Sequence, residues 1–219
     1  MNIMKKIIFP LILLFLLSAG QAFAAQAPME RLKDGIQGVI NILEGPQYKG
    51  VEAKQNEMTE KIRETIKNFF NFTELSKRSI GRPWLQFTPE ERSRFVGLFT
   101  SLLEQTYLEK IRDYSGEQVV YDKETIIKGK YAQVDTRLVA TDKDIPVFYR
   151  MKLENDEWDV YDVKIEGVSL VNNYRTQFAG ILDTSTDKKF AETKAELFKR
   201  MEEKIKSLEN KKTDTKKSK

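Results

Sequence analysis

The sequence predicts an α+β domain in which helices come first and an antiparallel β-meander follows. Three observations predict it. Apolar residues recur at helical spacing through residues 28–113. From residue 118 they alternate with polar ones in four successive runs. The links between those runs are only two or three residues long, which suits hairpins and leaves no room for the crossovers that parallel strands require. The expected architecture is a set of N-terminal helices, then a twisted four-stranded antiparallel meander covered by helices, an arrangement that allows an apolar cavity between the layers without showing one.

Residues 1–24 read as an export signal. Lys5 and Lys6 precede the apolar run Ile7–Leu17, and Ala22-Phe23-Ala24 supplies the small residues that a signal peptidase requires. The apolar run is short for a membrane span of about 20 residues. Cleavage after Ala24 leaves 195 residues, enough for one domain with a sizeable core. The expected product is exported and soluble, a single domain over residues 25–203 with a basic tail.

From Pro28 the stripe Leu32, Ile36, Val39, Ile40 and Leu43 predicts a helix that Gly45-Pro46 ends. Met58, Ile62, Ile66 and Phe69 make a second stripe, and a short helix follows over 73–80. Thr88-Pro89-Glu90-Glu91 is a helix start: threonine caps, proline suits the first helical position, and Glu91 completes a capping box. That helix runs to about Asp113 with an unusually broad apolar stripe.

Strands are expected over 118–128, 131–141, 145–154 and 157–166. Ala132, Val134, Thr136, Leu138 and Ala140 share one face of the second, and Ile145, Val147, Tyr149, Met151 and Leu153 one face of the third. The opposite face carries Asp135, Arg137, Arg150, Lys152 and Glu154 and is expected to be wet. In the fourth run Trp158 and Val160 fall on one parity and Val163 and Ile165 on the other, so a bulge is expected near Tyr161-Asp162. Helices over 169–183 and from Asp187 to Leu208 close the domain, the latter with Phe190, Leu197, Phe198 and Met201 inward. The polar segment from Asn210 is expected to be disordered.

Composition narrows the chemistry. The chain has no cysteine and no histidine. That removes disulfides, thiolate nucleophiles, the usual transition-metal ligands and every Ser-His-acid triad. Its net charge of +4 is uneven: residues 204–219 carry seven lysines against Glu209 and Asp214, whereas residues 25–203 are net acidic. A nucleic-acid-binding face is therefore unsupported. Ser169 stands between a strand and a helix, but Val171 occupies the glycine position of a nucleophile elbow, so a helix cap is the better reading. Asp162, at the register slip, is the candidate for an isomerase or dehydratase carboxylate; bonding to nearby backbone or to Arg175 is the simpler role. Arg82, Arg94, Arg137, Arg150 and Arg175 are candidates for lipid phosphates or acidic partners, with a structural ion pair the first reading for Arg175.

Two ordered motifs carry a family resemblance. The stretch from Trp158 through Val160, Asp162-Val163, Ile165-Glu166-Gly167-Val168-Ser169-Leu170-Val171 and Asn173-Tyr174-Arg175 to Gln177-Phe178 resembles the signature of the MlaC family. A second block resembles it independently: Phe70-Asn71-Phe72, Gly81-Arg82-Pro83-Trp84, Thr88-Pro89-Glu90-Glu91, Phe95, Phe99 and Thr106-Tyr107. Asn71 stands where the family usually has aspartate. The MlaC or toluene-tolerance family comprises periplasmic phospholipid-binding proteins, the soluble components of ABC lipid-transport systems.

The resemblance implies one α+β domain with a tail-binding pocket, no catalysis and no cofactor beyond the phospholipid cargo. It also implies a monomer that docks on an inner-membrane ABC complex and an outer-membrane lipoprotein–porin complex. A carrier must hide on the order of 30 methylenes, each worth about 0.8 kcal/mol on leaving water. Expected wall residues are Phe99, Leu102, Leu103 and Tyr107 on the long helix; Val134, Leu138, Val147, Tyr149, Met151, Val163 and Ile165 on the strands; and Val168, Tyr174 and Phe178 after them. The alternatives are a small enzyme using Asp162 or a periplasmic adaptor without ligand.

Overall fold

The computed structural model describes residues 26–139 and 143–217. The expected export signal at 1–24, Ala140 and part of the second hairpin turn lie outside the described residues. Helix α1 (Pro28–Leu43) starts on its proline and buries Leu32 and Val39. A turn of 3₁₀ helix at Glu52–Lys54 leads into α2 (Gln55–Lys67), which buries Met58 and Ile62. Gly35 lets α1 close on the Phe69 ring just beyond α2, where a Cβ would lie 2.6 Å from the ring.

Helix α3 (Phe72–Ile80) is capped by Asn71, whose side chain accepts from the Glu74 amide at 2.8 Å. Asparagine and aspartate cap equally well, and the Asn71 side-chain amide also donates to Glu154 at 3.0 Å, which a carboxylate cannot do. Gly81, at φ 75, turns the chain into a 3₁₀ segment (Arg82–Gln86). Helix α4 (Pro89–Arg112) has the expected capping box, with Thr88 and Glu91 each bonded to the other's backbone N–H.

Strands β1 (Gln118–Ile127), β2 (Tyr131–Val139), β3 (Asp144–Glu154), β4 (Glu157–Ile165) and β5 (Val168–Ser169) form one antiparallel sheet in sequence order. The meander thus has five strands where four were expected; two residues are too few to show an alternation. Three hairpins turn through paired left-handed residues, Lys128-Gly129, Asn155-Asp156 and Glu166-Gly167. The expected bulge is present. Arg150 faces Asp162 and Met151 faces Val160, so Tyr161 is the extra residue, and Val163 and Ile165 return to the face of Trp158 and Val160. A second bulge, at Asp122 in β1, was not anticipated. The β4 edge is covered by the chain between α2 and α3: Val160 donates to the Phe69 carbonyl, and Asn71 donates to that of Val160.

Helices α5 (Leu170–Ala179) and α6 (Asp187–Lys217) complete the chain. The former is shorter than expected. The latter does not stop at Leu208 but carries the lysine-rich tail as helix to Lys217. Its lysines have good helix propensity although Asn210, Thr213, Asp214 and Thr215 do not, and the preceding turns anchored by Leu197, Phe198 and Met201 supply the nucleus that it extends.

Two apolar cores result. A helical core gathers Leu75, Trp84, Phe95, Phe99, Phe178 and Phe198 from α3 through α6. The other packs the inner face of the sheet, with Val134, Met151, Trp158 and Val160, against Leu32 and Ile62. Helix α4 belongs to both, because Leu108 lies in the second core. The outer face is not simply wet, as expected: α3 lies across part of it. Lys152 reaches Glu74 at 3.2 Å, and the Arg78 guanidinium lies over the rings of Tyr131 and Tyr161.

Burial alone raises the pKa of Glu74, but Lys152 and Arg78 outweigh it and hold the carboxyl below its ordinary value. A folded-state pKa below the unfolded one stabilises fully above the unfolded value of about 4.3 and is lost as pH falls through the folded value. Glu74→Gln is accordingly expected to lower the melting temperature at pH 7 and to converge with the parent protein once the pH falls below the folded-state value of Glu74. A difference that persists undiminished at acid pH would assign the loss to packing instead.

Candidate functional site

The corner formed by β4, β5 and α5 is built around Asp162. The bulge turns both Tyr161 and Asp162 to the outer side, where Asp162 is 1 % exposed. One carboxylate oxygen accepts from the Val171 amide in the first turn of α5 at 3.0 Å. The other accepts from the Ser169 hydroxyl at 2.8 Å and lies 3.4 Å from the Arg150 guanidinium. Ser169 in turn caps α5 by accepting from the Asn172 amide. The serine is thus the cap expected. Asp162 is a pin that fixes the helix to the strand, and Arg150 rather than Arg175 is its cation. Arg175 makes no ion pair there; its guanidinium donates twice to the Arg78 carbonyl, joining α5 to α3.

The expected wall residues divide between two places. Phe99, Leu102, Leu103, Tyr174 and Phe178 belong to the helical core, with Tyr107 packed against it. Their rings are in direct contact, Phe99 lying 4.8 Å from Tyr174 and 5.3 Å from Phe178 between centroids. The strand residues form ordered rows on the inner face of the sheet. Met151 pairs with Ala132 and Val160, and Tyr149 with Val134 and Val163. The next row runs Thr136, Val147, Ile165, Val168, and the last Val119, Leu138, Ile145.

Burial falls along these rows. Val134 and Met151 are fully buried, Val147 is 8 % exposed, Ile165 46 % and Val168 63 %. The first two rows lie in or against the second core, whereas Val147, Ile165, Val168, Leu138 and Ile145 belong to neither core. The apolar face therefore runs on past the residues of the second core: Thr136 and Val147 are buried, Val119, Leu138 and Ile145 half-buried, and the face opens to solvent at its β4–β5 edge, at Ile165 and Val168. From Met151 to Ile145 it is about 20 Å long at the rise of an antiparallel strand. Val119 completes it and was missed, because cross-strand register is not visible in a single strand's alternation.

Burial pushes the phenols of Tyr121 and Tyr174 up to about 12 and those of Tyr107 and Tyr149 upward as well. All four stay neutral at physiological pH, Tyr107 and Tyr174 at the helical core and Tyr121 and Tyr149 at the sheet core. Among the described residues, no three acidic side chains converge as a metal-donor set. Two grooves lie on the surface. One, of about 360 Å³, lies at the β4–β5–α5 corner, and the other, of about 470 Å³, between Arg82-Pro83 and Leu182.

The fold and this face define a class: an open five-stranded α+β domain whose apolar sheet face surfaces at one end. The chain belongs to the MlaC family; the family described as MlaC protein matches residues 33–211. It is 21 % identical over 167 residues to the intermembrane phospholipid transport system binding protein MlaC of Haemophilus influenzae, covering 74 % of this chain and 78 % of that one. It is 29 % identical over 93 residues to the toluene tolerance protein ttg2D of Pseudomonas putida, covering 42 % and 43 % of the two chains. The same fold occurs in a phospholipid-binding protein from Ralstonia solanacearum, solved in complex with a phospholipid. The TM-score is 0.71 at 21 % identity, over 84 % of this chain and 99 % of the other.

Proposed function

We propose that this protein is a periplasmic phospholipid carrier that shuttles lipids between an inner-membrane ABC complex and an outer-membrane lipoprotein–porin complex, maintaining outer-membrane lipid asymmetry. The observation that carries this reading is the apolar inner face that runs past the second core, with Val147 buried and Ile165 and Val168 open at its β4–β5 edge. Acyl chains enter along this face and part the sheet from α4, which already belongs to both cores. Hiding the methylenes drives binding at about 0.8 kcal/mol each, with no covalent step. Transfer at the carrier is passive, and the signal at 1–24 is cleaved on export.

The helical core is the rigid half of this device, and the strand residues from Tyr149 outward are its wall. Val147→Trp is expected to fill the midpoint of the face and reduce co-purified phospholipid at least ten-fold while the protein stays folded. Native mass spectrometry of protein from a periplasmic extract, with organic extraction of what it carries, measures this. Undiminished lipid in the variant would move the tails elsewhere. A parent protein that neither carries lipid nor takes it from vesicles would favour the adaptor. The enzyme reading has no support from Asp162, both of whose oxygens are engaged.

A further inference from the structure

The groove at the β4–β5–α5 corner is polar, and its charges have one sign to spare. It is lined by Arg150 and Lys164 from the outer face of the sheet and by Asn172, Asn173 and Thr176 from α5. The carboxylates around it are engaged. Asp162 lies beneath, buried and bonded to Ser169 and Val171, and Glu166 is held by Lys143 at 2.5 Å. Arg150 meets Asp162 through one nitrogen at 3.4 Å, and its side chain is 42 % exposed. Lys164 lies 5.7 Å over the Phe148 ring, which leaves its ammonium free to donate beside Arg150.

Val168 lines this groove and is also the last residue of the apolar face, paired with Ile165. The polar groove and the open end of the tail surface thus meet at one residue. We propose that the groove is a phosphate subsite, in which Arg150 and Lys164 hold a phosphate anion and the Asn172 and Asn173 amides donate to its oxygens. For the lipid source this rests on the carrier reading. The subsite holds the phosphodiester common to all glycerophospholipids while the tails lie along the sheet. Whatever esterifies that phosphate points to solvent, so selectivity among head groups stays weak. Free inorganic phosphate offers the same chemistry.

The test compares loading of delipidated protein from vesicles containing a phosphatidylglycerol and from vesicles containing the diacylglycerol with the same chains. Expected is a preference for the phospholipid of roughly two- to five-fold, the scale of one partly exposed charge pair. Lys164→Glu abolishes that preference without changing diacylglycerol loading; the milder Lys164→Gln, which keeps most of the side-chain stem, halves it and serves if the first variant folds poorly. Equal loading of both lipids by the parent protein overturns the subsite as a head-group site and leaves the carrier standing. If neither lipid loads, the carrier reading fails instead. Inorganic phosphate, titrated against the Asn172 and Asn173 side-chain amide resonances, then decides separately. Saturable shifts absent in the Lys164→Glu variant support a subsite for free phosphate, and no shifts overturn it.

Discussion

Phe95→Ala is expected to destabilise the protein by about 3–5 kcal/mol, the usual cost of deleting a large aromatic from a packed core. Phe95 is fully buried, and its ring lies within 6.4 Å, centroid to centroid, of those of Trp84, Phe87, Phe99, Phe178 and Phe198. These neighbours come from the 3₁₀ segment and the residue after it, α4, α5 and α6, so one truncation loosens most of the helical half at once. Urea denaturation measures the loss. Because Phe95 is remote from the sheet face, the residual folded protein should still load lipid. A small stability loss joined to a large loss of lipid would show that the helical core, and not the sheet, receives the tails.

Asp162→Ala is expected to cost about 2–4 kcal/mol. The substitution strands a buried hydroxyl and a buried amide, and it frees Arg150 from its anchor. The penalty of leaving those donors unpaired exceeds the modest worth of each bond, which is why the loss should be larger than for Ser169→Ala, a cap worth about 1 kcal/mol. An enzymatic Asp162 predicts the opposite pattern, with activity lost and stability kept or improved once a strained carboxylate is removed. Unchanged urea stability in the alanine variant would reject the role of helix pin.

These two residues also show where sequence reasoning is strong and where it stops. The place of Phe95 was legible, since it lies on a regular stripe after a capping box, and local periodicity dictates which side of a helix is buried. The bulge beside Asp162 was legible for the same reason, because a parity slip in one strand has few other meanings. The partner of Asp162 was not. Arg150 lies in the neighbouring strand and reaches it only through cross-strand register, which turn geometry and the bulge set jointly.

The candidate wall shows the same limit. Helix residues such as Phe99 and strand residues such as Val147 have equally apolar surroundings in the sequence, yet Phe99 lies in a closed aromatic cluster and Val147 on a face that opens outward. Helical extent near Lys217 was misjudged because charge and low complexity describe solvation, whereas propagation from an anchored helix costs little once the nucleus exists.

By itself the sequence determined the α+β class, the hairpin meander, the caps of α4 and α5, the bulge in β4 and the family. Each of these depends on interactions between residues close in the chain, or on an ordered motif. Tertiary structure alone decided that the apolar residues would separate into two cores joined by α4. It also decided that α3 would cover part of the outer face, and that Ile165 and Val168 would be left uncovered beside Arg150 and Lys164. The physical reason is that burial is non-directional: apolar pattern states that a side chain leaves water, and only the packing of distant elements states against what.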